Sequence, residues 1–286
     1  MNNRSDRFLL LTRIADALDR LAPPISNNIN LDVADAFVWN ANSEKLEAIT
    51  QINRIDISLL HGIDVQRDIL LDNTRRFSRG LSTNNALLWG ARGTGKSSLI
   101  KAVHAKINEE IPHALALVEI HREDITSFSC LLTMLCNSSR RILLFCDDLS
   151  FNKHIDDSYK SLKTALDGSI KGRPSNVVFY ATSNRRHLMS RNMIENERST
   201  AIHPEETTEE NISISDRFGL WIGFHKINQE TFLAIIENYA KAFCLPIAIN
   251  DLHKQAIEWS INRGARSGRV AWQFIQDVAG RLDKSL

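Results

Sequence analysis

Long apolar runs are absent from this chain, and cysteine is scarce. The apolar run near the start, Phe8 to Leu11, is too short for a signal-peptide core or a bilayer span. The cysteines contain no C-x-x-C pair, which argues against a zinc ribbon and a disulfide framework. We therefore expect a cytoplasmic protein with no membrane partner and reduced thiols. The four cysteines are Cys130, Cys136, Cys146 and Cys244.

An excess of charge of either sign is also missing. Lys and Arg total 35 against 34 Asp and Glu, which gives a net charge of +1. Such a balance provides no global field for nucleic acid or a membrane surface, so any nucleic-acid binding would have to be local. The nine histidines show no H-x-x-x-H spacing and predict no metal site. With 286 residues, 43% of them hydrophobic, the chain is typical of a soluble protein of one large domain or two.

The string GARGTGKSS, residues 90–98, stands between an apolar run and a helix-like segment. It fits G-x-x-x-x-G-K-[ST], in which backbone N–H groups and a helix N-terminus bind phosphates. We expect Lys96 to reach the β- and γ-phosphates and Ser97 to ligate Mg²⁺, so ATP and Mg²⁺ are the predicted ligands. The alternative is a tight strand-to-helix turn. The predicted phosphate-site residues are Gly90, Ala91, Arg92, Gly93, Thr94, Gly95, Lys96, Ser97 and Ser98.

Two acidic residues end a second apolar run, RILLFCDD. A phosphate loop needs an acid to hold its metal, and we assign this role to Asp147, directly or through water. Asp148 is predicted to polarise the attacking water as a general base. The alternative for Asp148 is a helix N-cap or a residue that contacts the metal ligands rather than the metal, because the side chain of aspartate is about one methylene shorter than that of glutamate.

Short apolar runs alternate with amphipathic segments from Asn85 onward, which predicts a parallel sheet covered by helices on both faces. The five predicted strands are 86–89, 114–120, 141–148, 176–184 and 220–224. Three helices are expected near 229–243, 250–262 and 268–283. The run 176–184 ends in Thr182, Ser183 and Asn184, and a polar side chain there could contact the γ-phosphate or the water.

The N-terminal part of the sequence has a different pattern from the part that begins at Asn85. Apolar residues from Phe8 to Leu21 recur at helical spacing before Pro23, and mixed helical sequence is expected over about 36–80. We predict a helical extension at 1–52, a nucleotide-binding domain at 53–227 and a helical domain at 228–286. The polar, glutamate-rich segment between Leu188 and Ser213 has the composition of a mobile loop.

This order of motifs resembles that of the AAA+ ATPases. The resemblance implies an α/β AAA+ P-loop fold with a five-stranded parallel sheet between helices, followed by a small all-helical lid. In ISDRFGLWIGF it implies an arginine finger at Arg217, and in RGARSGR a lid sensor at Arg266, with Arg269 in reserve. It further implies that Asn184 is the polar sensor. The segment LLHGIDVQRDILLDN looks like the linker that packs on adenine, with Gly62 and Ile63 nearest the base.

Several strings sharpen the resemblance to a bacterial AAA+ family labelled as a domain of unknown function. They are NNALLWGARGTGKSSLIKA, FCDDLSF, SYKSLKTAL, YATSNRRHL and SDRFGLWI. In AAA+ proteins the arginine finger acts on the neighbour's nucleotide. The resemblance therefore implies a homo-oligomer in which Arg217 acts in trans by placing a permanent positive charge near the transferred phosphoryl group.

Three functions remain open from the sequence. An ATP hydrolase of this type could assemble into an oligomer that remodels an unknown protein client, although EIHREDITSF carries no aromatic-apolar-glycine triplet for threading. It could instead load or clamp nucleic acid through Arg185, Arg186 and His187, or through the basic residues at 75–79. It could also be a slow ATP-dependent binding switch, which the Asp148 substitution for glutamate favours. A small-molecule kinase is disfavoured by Arg217 and the C-terminal helices.

Overall fold

The computed structural model describes residues 12–14, 30–151, 157–167, 174–186, 188 and 214–286. The chain divides into two compact units, Met1–Asn30 and Leu31–Leu286. In the first unit the structure describes one helical turn at 12–14 and residue 30. Most of the predicted amphipathic helix, and the glutamate-rich segment 189–213, lie outside the described residues.

A seven-stranded sheet forms the centre of the second unit. Its spatial order is β2-β1-β4-β5-β6-β3-β7, and every neighbouring pair is parallel except β1 with β2. The predicted α/β class and all five predicted strands are confirmed, but the strand count of five is too low. The strands are β1 Ala36–Asn40, β2 Lys45–Ile49, β3 Ala86–Gly90, β4 Leu115–Glu119, β5 Arg141–Cys146, β6 Val177–Ser183 and β7 Leu220–Phe224.

The two additional strands correct the prediction of helical sequence over this region. β1 and β2 form an antiparallel hairpin, and β1 extends the sheet by pairing in parallel with β4. The side chains of Phe37 and Trp39 are buried, whereas β2 contains only exposed and half-buried residues. An aromatic and β-branched run before the turn residues of ANSE was the available strand signal. The helical interpretation missed it because the run is only five residues long.

Arg140 attaches the hairpin to the sheet from a nearly fully buried position. Its guanidinium donates hydrogen bonds to the backbone carbonyls of residues 31, 34, 113 and 115 and to the carboxylate of Asp35. All five guanidinium N–H groups therefore have acceptors within reach, as a buried arginine requires. Burial opposes ionisation of Asp35, but hydrogen bonds from Arg140 and His113 prevail and lower its pKa.

Helices pack on the sheet, and three further helices follow the last strand toward the C-terminus. Short 3-10 helices occur at Ile57–Leu59, Arg122–Ser127 and Ser215–Arg217. No helix within the described ranges combines the length and apolar character needed for a membrane span. The helices are α1 Asp64–Ser78, α2 Lys96–Glu110, α3 Phe128–Leu135, α4 Asp157–Asp167, α5 Gln229–Ala242, α6 Ile249–Asn262 and α7 Gly268–Arg281.

Two apolar clusters of the described residues contribute to the core. One lies between the sheet and helices α1 and α2, and the other is formed by α5, α6 and α7. Three buried polar side chains lie within the first cluster. Asn73 Nδ2 donates to the Tyr180 hydroxyl at 2.8 Å, and Thr74 Oγ1 lies 2.9 Å from the same hydroxyl. The three C-terminal helices, whose positions the sequence predicted, therefore share an apolar cluster of their own. The predicted domain boundaries at 52/53 and 227/228 remain a prediction.

Candidate nucleotide site

The predicted phosphate loop joins β3 to α2 at the carboxyl edge of the sheet. Gly90 has φ +137°, and a Cβ there would stand 1.9 Å from the carbonyl oxygen of Phe224. The next residue donates its backbone N–H to that same oxygen at 3.2 Å. Glycine is therefore required by the close approach of β7 as well as by the turn. This contact ties the start of the loop to the end of β7.

Lys96 begins α2 and is 6% exposed. Its Nζ donates to the carbonyl oxygens of Gly90 at 3.0 Å and Ala91 at 2.7 Å, and to Asn184 Oδ1 at 3.2 Å. Burial lowers the pKa of the ammonium, and the nearby carboxylates oppose that shift. The lysine thus lies inside the loop, with its charge directed at the space that the loop encloses.

A hydroxyl and a carboxylate meet beside the loop. Ser97 Oγ donates to Asp147 Oδ1 at 2.6 Å, and Thr182 Oγ1 also donates to this carboxylate oxygen. Thr182 Oγ1 in turn accepts the backbone N–H of Asp148 at 3.0 Å. Hydroxyl and carboxylate oxygens are ligands that Mg²⁺ prefers, so Ser97 and Asp147 fit the metal role assigned from the sequence. Thr182 joins this group through its side chain, which makes it an orienting residue that the sequence left unassigned.

Asp148 follows in a left-handed backbone conformation, with φ +49°. Its carboxylate accepts a hydrogen bond from Asn184 Nδ2 at 2.6 Å, while Asn184 Oδ1 accepts from Lys96. The Asn184 amide therefore bridges the acid and the lysine, using its donor at one end and its acceptor at the other. This contact is possible because β5 and β6 are neighbours whose carboxyl ends reach the same edge.

The predicted adenine linker lies between the phosphate loop and the C-terminal helices. Ile63 is buried, and its Cδ1 lies 3.5 Å from the position that a Cβ on Gly95 would take. Gly62 approaches α5 so closely that a Cβ would stand 2.4 Å from Thr231 Cγ2. Next to it, His61 Nε2 is buried and has no hydrogen-bond partner among the described residues. The sequence analysis had not singled out this imidazole.

Arg217 lies far from the phosphate loop of its own chain. It ends a 3-10 helix three residues before β7, and β7 runs parallel to β3 with Leu220 opposite Ala86 and Phe224 opposite Gly90. Arg217 is therefore at the amino edge of the sheet, whereas the loop is at the carboxyl edge. Five strand residues separate these edges by about 16 Å. The structure does not bring Arg217 together with the other predicted residues.

The two lid candidates differ in their distance from the loop. The backbone N–H of Arg269 donates to the carbonyl of Gly93 at 3.3 Å, and the charge of Arg269 contributes to lowering the pKa of Lys96. Arg266 is exposed in the connection between α6 and α7, and no hydrogen bond or ion pair joins it to the loop within the described part of the chain. The arrangement therefore brings the reserve candidate, Arg269, to the phosphate loop in preference to Arg266.

Several arginines of the two basic clusters considered for nucleic-acid binding already have partners within the chain. Arg75 pairs with Glu110 at 2.7 Å and Arg76 pairs with Asp72 at 2.9 Å, so the cluster near the end of α1 is largely compensated. Arg186 lies over the ring of Trp89, 5.2 Å from its centroid, at the carboxyl edge. His187, the third member of that cluster, lies outside the described residues.

Comparison with solved structures shows what this architecture is similar to. The FIGL-1 AAA domain in complex with ADP is 14% identical, with a TM-score of 0.51 over 82% of this chain and 76% of that one. The Aeropyrum pernix ORC1 protein in complex with DNA is 13% identical, with a TM-score of 0.52 over 79% and 64%. A chain of the E. coli MS115-1 HORMA:CdnC:Trip13 complex is 11% identical, with a TM-score of 0.50 over 77% and 89%.

At these identities the similarity concerns the fold, and it confirms the AAA+ architecture expected from the order of the motifs. No curated protein has a significantly similar sequence. A family model described as "Protein of unknown function (DUF815)" matches residues 32–282, which is most of the chain. The protein therefore has the AAA+ fold and belongs to the family described as "Protein of unknown function (DUF815)".

Proposed function

We propose that this protein is a magnesium-dependent ATP hydrolase whose nucleotide cycle drives oligomer assembly or the remodelling of a macromolecular partner. The observation that carries the proposal is the convergence of three contacts at one sheet edge. Lys96 lies inside the phosphate loop, Ser97 meets Asp147, and Asn184 holds Asp148. The second and third contacts join residues 50 and 36 positions apart in the sequence, and each of the three matches a separate requirement of phosphoryl transfer.

Each residue of the site has a role that follows from its chemistry. The loop N–H groups and Lys96 bind the phosphates, and Lys96 exchanges its hydrogen bonds to the loop carbonyls for phosphate oxygens. Ser97 and Asp147 hold Mg²⁺, which, when bound, neutralises charge on the phosphate oxygens. Asp148 accepts a proton from the attacking water, and Asn184 positions the Asp148 carboxylate. The linker at Gly62 and Ile63 supplies the surface against adenine.

The position of Arg217 supports an assembly with shared sites. An arginine side chain cannot span the roughly 16 Å between the two edges of the sheet. If Arg217 stabilises the transition-state charge, it must therefore do so at a neighbouring subunit, and the protein is a homo-oligomer during hydrolysis. Within the subunit, Arg269 takes the lid role for which Arg266 was the first candidate. Its backbone contact with Gly93 would couple the angle of the C-terminal helices to the occupancy of the site.

A slow ATP-dependent binding switch is the second candidate. It is favoured by the short side chain of Asp148, which Asn184 already holds at 2.6 Å. A nucleic-acid loader or clamp has less support, because ion pairs occupy Arg75 and Arg76 and the net charge is +1. The similar ORC1 structure contains DNA and the Trip13 complex contains a HORMA protein, and both kinds of partner are candidates for the client. We expect a cytoplasmic location.

The test is phosphate release by the purified protein as a function of protein concentration, with Arg217→Ala mixed in. A shared-site oligomer predicts that specific activity rises with concentration and that the variant, inactive alone, lowers the activity of the wild type more than dilution does. Arg79→Ala is the matched control, because it removes an exposed arginine at the end of α1. Equal turnover by Arg217→Ala and wild type would reject the finger assignment. Tight ATP binding with near-zero turnover at every concentration would instead favour the switch.

A further inference from the structure

Two neighbouring strands bring Thr182 and Asp147 to one face of the sheet. Phe145 of β5 is opposite Tyr180 of β6, and both side chains belong to the apolar cluster between the sheet and helices α1 and α2. Successive side chains of a strand point to opposite faces, so Asp147 and Thr182, two positions further on, return to that same face. Ser97 reaches the Asp147 carboxylate from the first turn of α2. Thr182 therefore faces the acid that is expected to hold Mg²⁺.

The Thr182 hydroxyl has a hydrogen-bond partner on each side. The residue is only 1% exposed, so the hydroxyl depends on partners within the chain. Its Oγ1 accepts the backbone N–H of Asp148 at 3.0 Å and donates to Asp147 Oδ1. The direction of the second bond follows from the chemistry, since a hydroxyl has one proton and a carboxylate can only accept. One buried oxygen thus joins the two consecutive acids.

The backbone of Thr182 binds the next residue of the same segment. Its carbonyl oxygen accepts the N–H of Leu149 at 2.7 Å. Between these bonds Asp148 has φ +49°, a left-handed conformation that a residue other than glycine keeps only where its surroundings fix it. Thr182 supplies the acceptors for the amides of residues 148 and 149, and Asn184 Nδ2 then donates to the Asp148 carboxylate at 2.6 Å. The direction of that carboxylate therefore depends on Thr182.

We propose that Thr182 is a positioning residue that couples Asp147 to Asp148. Its hydroxyl holds the Asp147 carboxylate beside Ser97 and fixes the backbone from which the Asp148 carboxylate is directed toward Asn184. The metal-holding acid and the expected general base are thus linked through one buried hydroxyl, which needs no contact of its own with the nucleotide. This inference rests on the proposed function, because it takes Asp147 as the Mg²⁺ ligand and Asp148 as the base.

The first test measures nucleotide binding and needs no turnover. The full chain is titrated calorimetrically with the non-hydrolysable ATP analogue AMP-PNP, once in Mg²⁺ and once in EDTA. Thr182→Val keeps the shape of the side chain but lacks the hydroxyl. This variant is expected to keep its affinity in EDTA within about twofold and to bind about tenfold more weakly in Mg²⁺, because a charge-assisted hydrogen bond to Asp147 is lost.

Two further variants separate positioning from a general effect on the fold. Thr182→Ser retains the hydroxyl and is expected to bind like the wild type in both conditions. Thr133→Val is the matched control, because it removes an exposed hydroxyl that donates to the backbone of Ser129 within α3. Equal losses in Mg²⁺ and EDTA, or a loss in Thr182→Ser as large as in Thr182→Val, would overturn the proposal. If the wild type binds no nucleotide, the proposed function fails and this inference fails with it, whereas Mg²⁺-dependent binding that Thr182→Val leaves unchanged rejects the positioning role alone.

The second test asks whether Thr182 acts through Asp148. Single-turnover phosphate release is measured at saturating Mg²⁺ for the wild type, for Thr182→Val, for Asp148→Asn and for the double variant. Thr182→Val is expected to slow release about tenfold when Asp148 is present and less than about twofold in the Asp148→Asn chain, where no carboxylate remains to be directed. The same factor in both backgrounds would show that the hydroxyl does not act through Asp148 and would overturn the coupling.

Discussion

Lys96 illustrates how one side chain connects the phosphate loop with the residues that follow β5 and β6. Its ammonium is buried among backbone carbonyls and the Asn184 amide, so its charge is available to an anion that enters the loop. Asn184 connects the same lysine to Asp148, which places a phosphate-binding group and the expected general base in one hydrogen-bonded chain. The two residues can therefore be tested separately, one through binding and the other through turnover.

Replacing Lys96 by alanine is expected to abolish measurable nucleotide affinity, because the buried positive charge that faces the phosphates is lost. The measurement is equilibrium titration with a fluorescent ATP analogue in the presence of Mg²⁺. Lys106→Ala is the matched control, since this lysine is on the same helix and pairs with Glu109 at the surface. Retention of wild-type affinity in Lys96→Ala would contradict the phosphate role.

Replacing Asp148 by asparagine separates the carboxylate from the backbone geometry. Asparagine tolerates the left-handed conformation that residue 148 adopts at φ +49°, so the loop should keep its shape. Without the carboxylate, turnover is expected to fall by about a hundredfold or more while ATP affinity is retained. Single-turnover phosphate release alongside nucleotide titration measures both quantities. Unchanged turnover would favour the alternative roles of Asp148, as a helix cap or as a residue that contacts the metal ligands rather than the metal.

At the scale of elements, the packing of α2 against β4 carries a pH-sensitive contact. His104 on α2 is fully buried, and its Nε2 lies 3.1 Å from the carbonyl oxygen of Leu115. Burial lowers the pKa of this imidazole from 6.5 to about 4. The same carbonyl also accepts from Asn108 at 2.9 Å and from Arg140 at 2.9 Å. The imidazole can therefore be removed without leaving the Leu115 carbonyl unpaired.

This contact predicts a loss of stability in mild acid. Below its ordinary pKa the unfolded chain protonates His104 while the folded chain does not, so the free energy of unfolding falls as the pH drops from about 6.5 toward 4. Between pH 7.5 and 5 the expected loss from this residue is about 2 kcal/mol. Urea unfolding of wild type and His104→Leu at both pH values measures the effect. An equally large loss in His104→Leu would assign the pH dependence to other groups.

The whole molecule is expected to assemble only when its sites hold ATP. Because Arg217 lies at the edge opposite its own phosphate loop, any contact of this arginine with a γ-phosphate would have to be made between subunits. Sedimentation velocity of Asp148→Asn with Mg²⁺ and ATP should therefore show a mass that rises with protein concentration, and without nucleotide a smaller mass. Adding Arg217→Ala to this variant is expected to weaken the association. An assembly that ignores both nucleotide and Arg217 would argue against shared sites.

Much of the site was predictable because its determinants are local. The phosphate loop is one contiguous string whose glycines, lysine and serine impose a turn before a helix, so its position and chemistry follow from nine neighbouring residues. The meeting of the polar residues at the ends of β5 and β6 was predictable for a related reason, since polar residues at the carboxyl ends of neighbouring parallel strands lie at one edge of the sheet. The parallel sheet followed from the alternation of apolar runs with amphipathic segments, whereas the AAA+ architecture was implied by the resemblance that the order of motifs carries.

Other features depend on contacts between distant segments, which no local pattern specifies. The hairpin at 36–49 was misread as helix because its strands are short and become stable only by extending the sheet beside β4. That the backbone of Arg269 contacts the loop depends on which residue near the start of α7 approaches Gly93, because Arg266 and Arg269 occur within one basic string. The Asn184 bridge between Lys96 and Asp148 likewise requires three strand ends to meet. The residue types in the local sequence thus determined the kind of site, whereas packing between distant segments determined which side chains complete it.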